Sequence, residues 1–143
     1  MCSDYIQYCQ RGLAAGTISR SHVDNTVRWL NDLCGYCGAL PVVQLKKGHI
    51  STWIDKHSTW KRPATRRGVI AVVQAAFNRA EENFGIANPL KGLKRPHCEP
   101  RLLSISPEDE QVLYANTEVC FRNLLFACIH TGLRPFCELA ILT

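Results

Sequence analysis

The sequence predicts an all-α chain, and three observations lead there. Apolar residues return at three- and four-residue steps through most of the chain, which is the helical period. Glycines close these runs and prolines open them: Gly16, Gly38, Gly85 and Gly132 stand after apolar stretches, while Pro63, Pro107 and Pro135 stand at the first turn of others. No stretch reads convincingly as a strand.

The elements follow in order. Residues 3–15 read as a short helix with Tyr5, Ile6, Cys9 and Leu13 on its apolar side and Gly16 as its stop. Ser21 is expected to cap the next helix, with Asp24 three residues later in a variant of the capping box. Val23, Val27, Leu30, Leu33, Cys34 and Cys37 form its apolar stripe, and Gly38 and Pro41 end it. Trp29 lies off that stripe and is expected to face another helix. A short helix follows Lys46-Lys47-Gly48, with Ile50, Trp53, Ile54 and His57 on one face. Pro63 begins the longest helix, running to Phe84 with Ile70, Val73, Phe77, Ala80 and Phe84 as its core stripe. Arg66 extends that stripe, so its stem covers the core edge while its head reaches out. Gly85 caps this helix. Ser106-Pro107-Glu108-Asp109 reads as an N-cap, a first-turn proline and two acids suited to the helix dipole. A short helix with Val112 and Leu113 comes next. Residues 121–131 are apolar nearly all round, which places them in the middle of a core.

Charge is unevenly spread. Residues 1–57 carry six Lys/Arg against four Asp/Glu, residues 58–101 nine against three, and residues 102–143 two against five. A basic middle suits a polyanion partner, and equally a solvated helix face. On the longest helix, Arg67, Ala71, Gln74 and Asn78 form a second stripe of small and polar groups. Such a stripe fits a DNA major groove or ordinary solvent, and spacing alone does not choose between them.

Asn88-Pro89-Leu90-Lys91-Gly92-Leu93-Lys94-Arg95-Pro96 is a basic connector with two prolines and a glycine, and the expected domain boundary. It divides the chain into residues 1–96 and 97–143.

The chain start shows no basic region followed by a long apolar run, and the longest apolar run, Leu124 to Ile129, is too short to span a bilayer. No membrane contact is expected, and the expected location is cytoplasmic. The eight cysteines are then expected as reduced thiols. Cys34-Gly35-Tyr36-Cys37 has C-x-x-C spacing, but no second ligand pair completes a tetrahedral site. Core packing is the preferred reading, and no metal is expected.

The most informative stretch runs from Leu124 through Thr131-Gly132-Leu133-Arg134-Pro135 to Glu138 and Leu139. An apolar helix reaches a glycine, an arginine follows, and Pro135 opens a second helix. Arg134 is thereby fixed at a helix junction beside free N–H groups, a place suited to an anion. Glu138, four residues on, shares its face and can hold the guanidinium.

This stretch resembles the first box of the tyrosine recombinase (phage integrase) family, in which a Thr-Gly-x-Arg-x-x-Glu-Leu pattern carries the first catalytic arginine. Thr131, Gly132, Arg134, Glu138 and Leu139 match it. The segment from Ala64-Thr65-Arg66-Arg67 through Phe77-Asn78-Arg79-Ala80 to Asn88-Pro89-Leu90 is similar to the family's last core-binding helix and its Asn-Pro exit. Leu45 to Ile54 looks like the segment before the third core-binding helix.

The resemblance implies a small helical core-binding domain of SAM-like form, followed by the first helices of an incomplete catalytic domain. It implies DNA recombination and integration through a phosphotyrosine link, with duplex DNA as partner, a nucleoid-associated location and no cofactor. Arg134 would be a catalytic arginine and Glu138 its support. Lys61, Arg62, Thr65, Arg66, Arg67, Gln74, Lys91, Lys94 and Arg95 are the DNA-binding candidates. The family's remaining catalytic groups lie downstream of the first box. Tyr5, Tyr8, Tyr36 and Tyr114 all precede Arg134, so strand cleavage by this polypeptide alone is not expected. The alternative is a small helical protein–protein interaction module that self-associates or pairs with a full-length recombinase. Helices 121–131 and onward from Pro135 would expose apolar area, so the last forty residues are expected to be poorly stable or to associate.

Overall fold

The computed structural model describes residues 1–99, 104–135 and 138–139. Among them are six α-helices, one 3-10 turn and no strand. The expected all-α class is observed. The chain forms two compact units, Met1–Glu99 and Pro100–Thr143.

In the first unit, α1 (Cys2–Ala14), α2 (Arg20–Cys37), α3 (Lys47–Lys56) and α4 (Pro63–Phe84) surround one core. α1 packs on α2 and α4, and α2 packs also on α3. The periodic apolar residues meet in that core: Tyr5 and Cys9 from α1, Val23, Leu30 and Leu33 from α2, Ile50, Trp53 and Ile54 from α3, and Val69 to Phe77 from α4. Arg79 ties α4 to α1, with its Nε 3.0 Å from Asp4 Oδ2 and its guanidinium 4.2 Å above the Tyr8 ring. Trp29 does face another helix. Its ring lies so close to Gly68 of α4 that a Cβ there would meet it at 3.3 Å.

Helix ends follow the sequence with one shift. Pro63 opens α4, and Gly85 closes it in the left-handed conformation (φ 65°), donating its N–H to Glu81 O. At α2 the cap is Ser19, not Ser21. The Thr17 and Ile18 N–H groups both bond back to Gly12 O, so the turn after α1 ends two residues earlier than expected. Ser19 is then the extended residue whose hydroxyl accepts the His22 N–H.

Two further expectations fail. Phe84 is exposed, because Ala80 is the last buried residue of α4 and its final turn has no neighbour to bury against. Cys34 is exposed as well, since it lies at the edge of the α2 stripe rather than on it. The division between units falls after Glu99, three residues beyond the expected place. The connector is not a free linker: Leu90 is fully buried and Leu93 packs against the same core.

The second unit holds α5 (Pro107–Ala115) and α6 (Val119–Thr131). Ser106 caps α5 by accepting the Asp109 N–H at 3.1 Å, and Glu108, Asp109 and Glu110 occupy its first turn as the dipole favours. α6 does not sit in the middle of a core, and it exposes apolar area as expected of an incomplete second domain. None of its residues is buried, and Val119, Phe121, Phe126 and Ile129 are exposed. A helix apolar on every side needs neighbours on every side, and a unit of about forty residues is too small to enclose it. Most of the helix expected after Pro135 lies outside the described residues.

Candidate nucleic-acid interface

Of the expected DNA-binding residues, Arg66, Gln74, Lys91, Lys94 and Arg95 lie where the connector returns along α4. Asn88 starts the return. Its side-chain oxygen accepts the Leu90 N–H at 2.8 Å, and its amide donates to Asn78 Oδ1 at 2.7 Å. The Asn88 N–H reaches Glu81. Leu90 then plugs the core. One turn of α4 further back, Gln74 donates to Leu93 O at 2.7 Å, and its oxygen accepts Arg95 Nε at the same distance. Lys94 and Pro96 line a cleft with Ser51, Asp55, Arg66 and Ile70. The connector therefore runs antiparallel to α4, from Glu81 and Asn78 past Gln74 to Ile70 and Arg66.

This return changes the meaning of the second α4 stripe. Gln74 and Asn78 hold the connector, and both ends of the Gln74 amide are engaged within the chain. Gln74 positions Arg95 instead of presenting its own amide. Arg67 is exposed and Ala71 half-buried on the same stripe.

The cations differ in what they are tied to. Lys61 and Arg62 are exposed at the start of α4, whose first turn has no side-chain cap, while Thr65 is half-buried there. Arg66 is engaged: Nε donates to Trp60 O at 2.8 Å and Nη1 lies 2.8 Å from Asp55 Oδ1. Its head clamps the α3–α4 turn rather than reaching out. Lys91 stands 3.7 Å from Glu81 and is mostly exposed, a rim pair that contributes little. Lys94 and Arg95 are exposed. Lys47, not among the expected residues, belongs beside them: a Cβ on Gly92 would lie 3.6 Å from its Nζ. The Lys46-Lys47 run was the available signal, but its distance of some forty residues from the connector hid the link.

The first-box residues form a separate arrangement in the second unit. Gly132 ends α6 at φ 69°, donating to Cys128 O at 2.9 Å. Thr131 Oγ1 donates to Ala127 O and accepts the Leu133 N–H, so the threonine shapes the turn. Glu138 grips Arg134 at three points. Oε2 accepts the Arg134 backbone N–H at 2.9 Å, and Oε1 accepts Nε at 2.9 Å and Nη2 at 2.6 Å. The side-chain bonds from Arg134, then the backbone bond, hold the Glu138 carboxyl below the usual carboxylate range. These bonds fix the guanidinium in direction, and its side chain is still largely exposed.

Among the described residues no group of three or more His, Cys, Asp or Glu side chains is placed to hold a metal ion. None of the helices described is long and apolar enough to cross a membrane. No protein-family model, curated protein or solved structure matches the chain.

Proposed function

We propose that the first unit binds duplex DNA through the surface where the connector lies along α4, in the manner of a SAM-like core-binding domain of a tyrosine recombinase. One observation carries this reading. The return of the connector brings Lys91, Lys94 and Arg95 along the helix that bears Arg66 and Arg67, so basic residues far apart in sequence are drawn together. Asp55 and Glu81 are the acids beside them, each already paired. The uncapped first turn of α4 adds N–H groups that suit a phosphate. Arg134, held by Glu138, fits the same reading as a phosphate-directed arginine, its direction fixed before any ligand arrives.

The test is binding of a labelled duplex over a range of salt concentrations. The binding constant should fall steeply with salt, and replacing Arg67, Lys94 and Arg95 by Gln should reduce the log–log slope by roughly 2 to 3. Binding indifferent to salt, or a triple variant with the parent slope, would sink the proposal.

α6 favours a second reading. Exposed Val119, Phe121 and Phe126 suit contact with another protein, in self-association or with a full-length recombinase. Association that proceeds without DNA, together with no affinity for duplex, would select it.

A further inference from the structure

Three thiols meet at one cavity in the first unit. Cys2 begins α1, and Cys34 and Cys37 lie in the last turn of α2. Together with Leu33, Leu40, Val42, Leu45 and Phe77 they line a cavity of about 260 Å³. The C-x-x-C pair is visible in the sequence, but its third member is more than thirty residues away and is brought in by the α1–α2 packing. The three are not equivalent. Cys34 is exposed, while Cys2 and Cys37 are half-buried. Cys2 and Cys34 line the same wall of residues, Cys2 from α1 and Cys34 from α2. Cys37 points away, donating its S–H to Leu33 O at 3.4 Å.

We propose that Cys34 is a thiol–disulfide exchange site, and that a low-molecular-weight disulfide oxidises Cys34 and Cys2 to an intramolecular disulfide across the α1–α2 contact. The chemistry balances in two exchanges. The Cys34 thiolate attacks one sulfur of the oxidant R–S–S–R, forming a mixed disulfide and releasing one R–S⁻. The Cys2 thiolate then attacks Cys34 Sγ, forming the Cys2–Cys34 bond and releasing the second R–S⁻. The two cysteine protons end on the two departing thiolates, and the oxidant is reduced to two R–SH.

The surroundings set the order of the steps. Cys34 is the member that a solute can reach. In the resting state burial, followed by the neighbouring Cys34 thiol, pushes Cys2 up to about 12, so Cys2 does not react first. Once Cys34 carries the mixed disulfide, the neighbouring thiol that raised Cys2 is gone. The N-terminal end of α1 then favours the Cys2 thiolate. The product ties the first residue of α1 to the last turn of α2. Closing a loop of about thirty residues raises the unfolding midpoint of a unit this size by roughly 10 °C or more.

The experiment incubates the full chain, folded, with glutathione disulfide. Free thiols are then trapped by alkylation, the linked peptides are mapped by mass spectrometry, and the thermal midpoint is recorded. The expected result is a Cys2–Cys34 link with a raised midpoint that dithiothreitol reverses. Cys2→Ser should stop at a stable glutathione adduct on Cys34, and Cys37→Ser should still form the link. A Cys34–Cys37 link, or Cys34 left as a free thiol while exposed Cys120 reacts, would overturn the proposal.

Discussion

Leu90→Ala is the sharpest probe of the connector, because it touches no charge and no helix. The Leu90 side chain is fully enclosed by the core of the first unit. Truncation removes three carbons, worth about 0.8 kcal/mol each in transfer alone, and leaves a cavity behind. The loss should reach about 3 to 4 kcal/mol, a large share of the stability of a domain this size. The assay is urea unfolding followed by the fluorescence of Trp53 and Trp60, both buried in that core. The midpoint should drop with little change in slope. Val43→Ala, at a residue 87% exposed, serves as control and should stay within about 0.5 kcal/mol of the parent. A Leu90→Ala loss under about 1 kcal/mol would refute the enclosure of Leu90, and with it the fixed place of Lys94 and Arg95 along α4.

Three other outcomes are expected. Asp32 accepts both Trp53 Nε1 at 2.8 Å and His57 Nε2 at 2.7 Å, so Asp32→Ala strands a buried indole N–H and should cost about 1 to 2 kcal/mol in urea unfolding, with Asp32→Asn losing less. Thr26 is fully buried with its hydroxyl unpartnered, so Thr26→Val should be neutral or stabilise by about 1 kcal/mol in the same assay. Burial, followed by Cys9, pushes the Tyr5 hydroxyl from 10.0 up to about 12, so its contribution is intact below pH 10 and disappears as pH climbs toward 12; the denaturation midpoint should fall across that window, and Tyr5→Phe should fall less.

Much of the fold was legible because its signals are local. α4 is bounded as expected, since a first-turn proline and a left-handed glycine act without help from tertiary contacts. Ser19 and Ser21 offer the same capping chemistry, and only the non-local question of where the preceding turn ends decided between them. The core position expected for α6 failed for a different reason. An all-round apolar helix asks for a core, but composition does not say whether the chain around it supplies one. At the candidate interface the cations were legible one by one. Their meeting was not, because helical spacing shows that Gln74 and Asn78 share a face and says nothing of what covers it. Half of a polar stripe that looked ready for a groove or for water is tied by hydrogen bonds to the chain's own connector.

The connector has a consequence for where the first unit can be divided. A leucine held on an asparagine turn behaves as a plug, and α4 with its neighbours as the socket. Severing the chain at Gly85 would leave every helix of the unit whole and the socket open. A separate peptide carrying Asn88, Leu90 and Leu93 would then have a shaped place to dock. Its docking would restore the basic flank together with the core, so charge display and folding of this unit are a single event.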